Sequence, residues 1–90
     1  NQKLEVMNLF VTKLDYGVRN SDLNDLFSDF GEVESAFVVM DKALGRSKGF
    51  GFVDMPNDDE AQKAIDTLNG SVFAGREIIV KKAEPRKVKI

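Results

Sequence analysis

Residues 48–55 read Lys-Gly-Phe-Gly-Phe-Val-Asp-Met, a run in which bulky and small side chains alternate. Alternation with a period of two predicts a β-strand, because successive side chains of a strand point to opposite faces of a sheet. One face of this strand then carries Gly51, Val53 and Met55. The opposite face carries Lys48, Phe50, Phe52 and Asp54. The strand is therefore two-sided, and the elements around it decide which side meets a core.

Two amphipathic helices flank this strand in the sequence and follow nearly the same template. Each repeats apolar residues at positions i, i+3, i+4 and i+7, the spacing that lines one face of an α-helix. These residues are Leu23, Leu26, Phe27 and Phe30 in the first helix and Ala61, Ala64, Ile65 and Leu68 in the second. Asn20-Ser21 and Asn57-Asp58 supply N-cap residues, and Gly31 and Asn69-Gly70 supply the helix stops. We expect the apolar faces of both helices to be buried.

Four strand-like runs, at 9–12, 33–40, 50–55 and 78–81, surround the two helices. The order is therefore β-α-β-β-α-β, with an exposed turn expected at 41–47. Right-handed crossovers place the first and third strands side by side in the middle, with both helices on one face. This order predicts an α+β fold of the ferredoxin-like split βαβ type, in which a four-stranded antiparallel sheet carries both helices on one face.

The predicted topology leaves the other face of the sheet without helix cover. Alternation assigns the following residues to this open face: Phe10, Thr12, Phe37, Val39, Lys48, Phe50, Phe52, Asp54, Ile79 and Lys81. A strand rich in phenylalanine is often part of a core, but here the alternation favours exposure. An exposed aromatic cluster of this size usually marks an interaction surface.

Composition limits the classes of function. The chain has 90 residues, of which 42% are apolar and 31% charged, as is typical of one soluble globular domain. It contains no Cys and no His, so disulfide scaffolds, Cys/His zinc sites, thiol nucleophiles and imidazole-dependent triads are excluded. No apolar run is long enough to span a membrane, and no signal-peptide pattern opens the chain. We expect an intracellular protein, in the cytoplasm by default, with the nucleus and an organelle left open. A start at Asn1 is compatible with processing or truncation.

Charge is distributed unevenly along the chain. The formal net charge is −2, from 13 basic and 15 acidic residues. Residues 41–55 carry three basic and two acidic groups, a balance of +1, and residues 76–90 carry six and two, a balance of +4. Such local basic patches can contact nucleic acid even when the whole chain is acidic. Whether the basic run 81–89 contacts a ligand or is a solvated tail stays open.

Two segments carry a specific resemblance to a known family. Residues 48–55, together with Leu9-Phe10-Val11-Thr12-Lys13-Leu14, resemble the two signature strands of the RNA recognition motif family. The resemblance implies an RNA recognition motif domain at 8–84, with flexible termini at 1–7 and 85–90. Two positions depart from the family pattern. Met55 replaces an aromatic residue on the side expected to face the core, and Thr12-Lys13 replaces the Gly-Asn pair of many members.

The resemblance implies a non-catalytic protein that binds short single-stranded RNA on the open face, in a post-transcriptional or RNA-chaperone role. Phe10 and Phe52 would each stack on one base. Phe50 would pack between the riboses, and Lys48 would meet a phosphate. The expected RNA-binding residues are Phe10, Thr12, Lys13, Phe37, Arg46, Lys48, Phe50, Phe52 and Lys81. Single-stranded DNA is a second expected ligand, and we expect a monomer that needs no metal and no cofactor.

Two other functions remain open. A protein-interaction module would use the apolar part of the open face, especially Phe37 and Val39, to dock a peptide or a partner subunit. A small hydrolase of the acylphosphatase kind would share the fold, although fold alone does not determine function. A dinucleotide-binding loop at Gly49-Phe50-Gly51 is excluded, because neither a third glycine at the required spacing nor a helix follows. The acidic run 58–60 suits a helix N-terminus better than a metal site.

Overall fold

The computed structural model of the chain describes residues 7–83. The elements of this part are β1 (Met7–Thr12), α1 (Asn20–Ser28), β2 (Ser35–Asp41), β3 (Arg46–Met55), α2 (Asp58–Leu68), β4 (Val72–Phe73), β5 (Arg76–Glu77) and β6 (Ile79–Ala83). Strands β2, β3, β1 and β6 form one antiparallel sheet in that spatial order. The predicted ferredoxin-like α+β fold is confirmed, with β1 and β3 at the centre of the sheet.

The ends of the predicted domain are described only in part. Strand β1 begins at Met7, one residue ahead of the predicted boundary at residue 8. The remaining segments that we predicted to be flexible, 1–6 and 85–90, lie outside the described residues. Within residues 7–83, neither helix is long and apolar enough to cross a membrane.

The turn between β2 and β3 is shorter than the predicted segment 41–47. Asp41 and Arg46 are already paired in the ladder, so that only residues 42–45 form the turn. The Asp41 carboxylate accepts two backbone N–H groups of the turn, at 2.9 and 3.2 Å, and its carbonyl accepts the Gly45 N–H at 2.7 Å. These local hydrogen bonds tighten the turn, and β3 therefore starts four residues earlier than predicted.

Strand β3 contains a bulge at Gly49. Its ladder with β2 pairs Val38 with Gly51 and then Met40 with Ser47, so that three β3 residues face a single β2 residue. Gly49 has a φ of +88°, a conformation that glycine adopts at little cost. Because the ladder shifts by two residues, the side chains on either side of the bulge keep their predicted faces.

A short hairpin between α2 and β6 is missing from the sequence prediction. Strands β4 and β5 pair antiparallel, with Phe73 opposite Arg76. Ala74 and Gly75 form the turn, with φ angles of +53° and +82°. Two successive positive φ angles are typical of a type I′ hairpin turn, which usually selects Asn-Gly or Asp-Gly. An Ala-Gly pair carries no such signal, which is why the hairpin could not be predicted.

The hydrophobic core lies between the two helices and one face of the sheet. Its fully buried members include Leu9, Val11, Val53, Met55, Ile78 and Val80 on the sheet side and Leu23, Phe27, Ala61 and Ala64 on the helices. Met55 thus occupies the core position that alternation predicts. Leu26, Phe30 and Ile65, which we also expected in the core, are only partly buried and pack against its margin. Each helix contacts the sheet mainly through the middle of its apolar face, so the apolar residues at the sides of that face lie at the margin of the core.

Gly51 lies where α1 approaches the sheet. A Cβ atom on this residue would lie 2.5 Å from the Phe37 carbonyl oxygen and 3.1 Å from Leu23 Cδ2. Distances of this kind leave no room for any side chain without movement of the strand or the helix. The glycine of the signature strand therefore permits close packing on the helix side.

The two helices begin in different ways. Asn57 caps α2, since its Oδ1 accepts the Glu60 N–H at 3.0 Å. Helix α1 begins after Arg19, whose N–H donates to the Asp22 carboxylate at 3.0 Å. The predicted cap role is therefore confirmed for Asn57 and wrong for Asn20, which has another partner.

Asn20 and Asn69 join the helix ends to the two edges of the sheet. Asn20 Oδ1 accepts the Val38 N–H of edge strand β2 at 2.7 Å. Asn69 Oδ1 accepts the Val80 N–H of edge strand β6 at 3.1 Å. An edge amide that is bonded in this way is satisfied within the domain and is not free to pair with another chain.

We expect the substitution Asn20→Ala to lower the free energy of unfolding by about 1 kcal/mol, because it leaves the N–H of the buried residue Val38 without its acceptor. Urea unfolding followed by circular dichroism measures the change. Asn24→Ala is the matched control, since Asn24 is exposed within the same helix and alanine is the better helix former there. Equal effects of the two substitutions would show that the bond to β2 contributes nothing.

Candidate nucleic-acid interface

Three phenylalanines form a row across the uncovered face of the sheet. Phe10 on β1 lies directly opposite Phe52 on β3, and Phe52 lies directly opposite Phe37 on β2. The ring centres of Phe10 and Phe52 are 5.1 Å apart with the planes 27° from parallel, and those of Phe37 and Phe52 are 5.6 Å apart. Contacts of this geometry are favourable between aromatic rings. The rings therefore support one another in a continuous strip.

Phe50, the residue directly after the bulge in β3, completes the cluster. Its ring stands edge-on to Phe10 at 5.7 Å and to Phe52 at 6.4 Å. We call Phe10, Phe37, Phe50 and Phe52 the aromatic platform. All four rings are partly exposed, and the structure thus brings together the four phenylalanines that alternation assigned to the open face.

The platform stays at the surface because of what lies on the other side of the same strands. Leu9, Val11 and Val53 alternate with the platform residues and are completely buried under the helices. A strand residue cannot face the core when both of its neighbours do. The interpretation of these phenylalanines as core residues is therefore wrong.

Three lysines lie around the platform. Lys81 on β6 is directly opposite Phe10, Lys48 is next to the bulge of β3, and Lys13 follows the end of β1. All three side chains are exposed, and within residues 7–83 no carboxylate lies within 4.0 Å of their ammonium groups. Lys13 has a φ of +62°, a conformation that asparagine tolerates better than most residues. This backbone explains why the family often has asparagine at that position.

Two further residues of the predicted open face, Thr12 and Asp54, lie at opposite ends of the platform. Thr12 is paired with both Phe50 and Ile79 at the end of β1 and is partly exposed. Asp54 lies at the other end, where its carboxylate accepts a hydrogen bond from the Ser35 hydroxyl at 2.8 Å. Lys13 and Lys48 thus lie toward the Thr12 end of the face, away from Asp54. Lys81 lies between the two ends, beside Phe10 at the β6 edge.

Arg46 is the predicted site residue that the structure does not place on the platform. Its guanidinium carbon lies 5.4 Å from the ring centre of Tyr16, a residue of the loop between β1 and α1. The guanidinium carbon of Arg76 lies 5.7 Å from the same ring. Sequence reasoning missed Tyr16 and Arg76, because a loop has no periodicity and the hairpin that carries Arg76 was not predicted.

The acidic side chains of the described residues are dispersed. Among residues 7–83, no group of three or more acidic side chains is arranged to hold an ion. The acidic run at the start of α2 serves other partners, since Glu60 Oε1 accepts the Glu32 N–H at 3.2 Å.

Comparison with known proteins agrees with this geometry. A family model described as the RNA recognition motif matches residues 9–79, which include both signature strands. The chain belongs to the RNA recognition motif family. Its sequence is 47% identical over 78 residues to the 29 kDa chloroplastic ribonucleoprotein of Arabidopsis thaliana, a match that covers 87% of this chain and 23% of that protein.

Solved structures of RNA recognition motif proteins have the same fold. The crystal structure of RNA Binding Protein PG1 matches with a TM-score of 0.86 and 45% identity, covering 91% of this chain and 99% of that chain. A Sxl-lethal protein/RNA complex matches with a TM-score of 0.81 and 30% identity, covering 89% of this chain and 48% of that chain. This RNA recognition motif chain thus spans about half of the Sxl-lethal chain and about a quarter of the chloroplast protein.

The exposed position of the platform predicts a contrast in stability. We expect Phe27→Ala to lower the free energy of unfolding by about 3–5 kcal/mol, because Phe27 is completely buried. Phe52→Ala removes a ring that still touches solvent, and we expect a loss of only about 1–2 kcal/mol. Urea unfolding of both variants measures the difference. A loss for Phe52→Ala as large as that for Phe27→Ala would mean that the ring has a core function.

Proposed function

We propose that the chain binds short single-stranded RNA on the aromatic platform, by base stacking and by contacts between lysines and phosphates. The observation that carries the proposal is the row of Phe10, Phe52 and Phe37, flanked by Lys48 and Lys81. Membership of the RNA recognition motif family supports RNA as the ligand. The stacking mode is our inference from the geometry of the rings.

Stacking accounts for the use of phenylalanine on this face. Unpaired bases have apolar faces that lie flat on an aromatic ring, and each stacked base contributes roughly 1–3 kcal/mol. Phe10 and Phe52 would hold two successive bases, and Phe50, which stands edge-on beside both rings, would contact the sugars between them. Two or three stacked bases with a few ionic contacts give roughly −8 kcal/mol, or about micromolar affinity.

Charge distribution supports this choice of face. The acidic residues of the first helical turns, Asp22 in α1 and 58–60 in α2, lie on the helices, whereas Lys48 and Lys81 lie beside the platform. A polyanion would therefore be repelled by the helix side and attracted to the sheet side, although the whole chain has a net charge of −2. RNA would therefore approach the domain from the sheet side.

The rest of the functional proposal follows from the same site. Aromatic rings stack on the bases of DNA as well as on those of RNA, so we propose that single-stranded DNA also binds. Its binding is weaker, because DNA lacks the 2′-hydroxyl groups that RNA offers for contacts. We propose a monomer without catalytic activity, spanning 8–84, that acts on RNA after transcription, as a regulator or chaperone. We propose a location inside the cell, and the chloroplastic relative supports an organelle.

A protein-binding face is the second candidate, and one observation favours it. Phe37 and Val39 add apolar surface at edge strand β2, and Leu44 in the turn that follows this strand is 63% exposed. An NMR titration with a degenerate pool of single-stranded RNA separates the candidates. Shifts centred on Phe10, Phe50 and Phe52 would support RNA binding, whereas a silent platform at about millimolar RNA would favour a protein partner.

We expect Phe52→Ala to weaken RNA binding by at least roughly 1 kcal/mol, or about fivefold in Kd, because one base loses its stacking partner. Phe52→Leu should also weaken binding, since leucine keeps the apolar volume without the flat ring. Fluorescence anisotropy with a labelled degenerate RNA measures both variants. Phe73→Leu is the matched control, because Phe73 is a partly buried phenylalanine of the β4–β5 hairpin and lies outside the platform. Unchanged affinity of folded Phe52 variants would refute the stacking mode.

The lysines are tested by the salt dependence of binding. On a single strand, each neutralised phosphate adds about −0.7 to the slope of log K against log salt concentration. We expect Lys48→Gln and Lys81→Gln each to make the slope shallower by about 0.7. Lys63→Gln on the exposed side of α2 removes the same charge away from the platform and should leave the slope unchanged. Equal slopes for all three variants would exclude the proposed phosphate contacts.

A further inference from the structure

A second aromatic and basic group lies beyond the platform, at the end of the sheet where β1 ends and β3 begins. Tyr16 is 54% exposed, and the guanidinium carbons of Arg46 and Arg76 lie 5.4 and 5.7 Å from its ring centre. Both distances are within the range of cation–π attraction. The three residues come from the β1–α1 loop, from the first position of β3 and from β5. We call them the Tyr16 cluster.

The Tyr16 cluster is close to the platform in space. A Cβ atom on Gly49 would lie 3.4 Å from Tyr16 Cε1, and the Gly49 carbonyl accepts the Leu14 N–H at 2.9 Å. Tyr16 therefore contacts β3 at the residue between Lys48 and Phe50, at the end of the sheet where the platform stops. A strand of nucleic acid that leaves the platform at this end of the sheet would pass the cluster next.

The two guanidinium groups beside the Tyr16 ring have few carboxylates near them that could neutralise their positive charge. Within residues 7–83, no carboxylate lies within 4.0 Å of the Arg46 guanidinium. Arg76 has only Asp15, at 3.8 Å, and both side chains of this pair are about half exposed. Exposed pairs of this kind contribute little and are easily exchanged for another anion. A guanidinium that lies on an aromatic ring still presents its N–H edge, which fits a phosphate.

We propose that the Tyr16 cluster binds the sugar–phosphate backbone of the RNA strand beyond the bases held by the platform. This inference rests on the proposed function and adds a separate contact to it. Arg46 and Arg76 each bind a phosphate, and Tyr16 is a positioning residue whose ring contacts both guanidinium groups. The cluster makes the site longer than the platform and increases its affinity for longer strands.

The experiment compares a degenerate RNA of three nucleotides with one of nine, for the wild-type chain and for Arg46→Gln, Arg76→Gln and the control Lys63→Gln. We expect each arginine variant to bind the longer RNA about fivefold more weakly at 0.1 M salt. One phosphate contact adds about 0.7 to the slope of log K against log salt concentration, so it strengthens binding by about 0.7 decades at 0.1 M relative to 1 M salt. Binding of the three-nucleotide RNA should not change. Arginine variants that behave like Lys63→Gln on the longer RNA would overturn the proposal.

The platform variant keeps the two proposals apart. Phe52→Ala should weaken binding of both RNA lengths, because it removes a stacking contact that both use. If Phe52→Ala and the arginine variants all bind as the wild-type chain does, the proposed function itself fails. If Phe52→Ala weakens binding and the arginine variants do not, only the role of the Tyr16 cluster fails.

Tyr16 and Asp15 provide tests with opposite signs. Tyr16→Leu should weaken binding of the nine-nucleotide RNA, whereas Tyr16→Phe keeps the ring and should bind normally. Asp15→Asn should strengthen binding of the longer RNA, because it frees Arg76 while an amide oxygen still accepts the Gly17 N–H that now bonds to Asp15 at 2.9 Å. Variants that change the urea midpoint without changing RNA affinity would show a purely structural cluster and overturn the proposal.

Discussion

The structure depends on one constraint, which is that both helices must pack on the same face of a four-stranded sheet. Gly51 makes this possible at the tightest point, where a side chain would collide with the Phe37 carbonyl oxygen and with Leu23 of α1. Residues on either side of Gly51 point away from the helices because strand side chains alternate. The same packing that buries Val53 therefore exposes Phe50 and Phe52. Core and platform are two consequences of one arrangement.

An uncovered apolar face would favour aggregation if nothing else controlled it. Here the lysines around the platform keep charge beside the rings, and the amide oxygens of Asn20 and Asn69 satisfy an amide on each edge strand. The face is thus protected against pairing along its edges while its centre stays accessible. This combination suits a ligand that approaches from above the sheet, as a single strand with flat bases does.

Much of this could be predicted from the sequence, because the decisive signals are periodic. The helical spacing from Leu23 to Phe30 and the alternation in 48–55 report directly on which side chains share a face. The position of Lys81 beside Phe10 also followed from alternation, once the order of the strands was known. The errors concern ends and connections. Asn20 bonds to β2 instead of capping its helix, and the β4–β5 hairpin turns on an Ala-Gly pair that has no strong turn preference.

The sequence by itself determined the fold, the buried face of the two helices and four sheet strands, and the membership of the aromatic platform. Each of these depends on local repeats along one segment. The tertiary structure alone decided the Tyr16 cluster. Tyr16, Arg46 and Arg76 belong to three segments without a common period. They meet because the fold brings the loop after β1 and the first residues of β3 and β5 to the same end of the sheet. Contacts between loops depend on where the folded chain returns in space, and no local pattern encodes that distance.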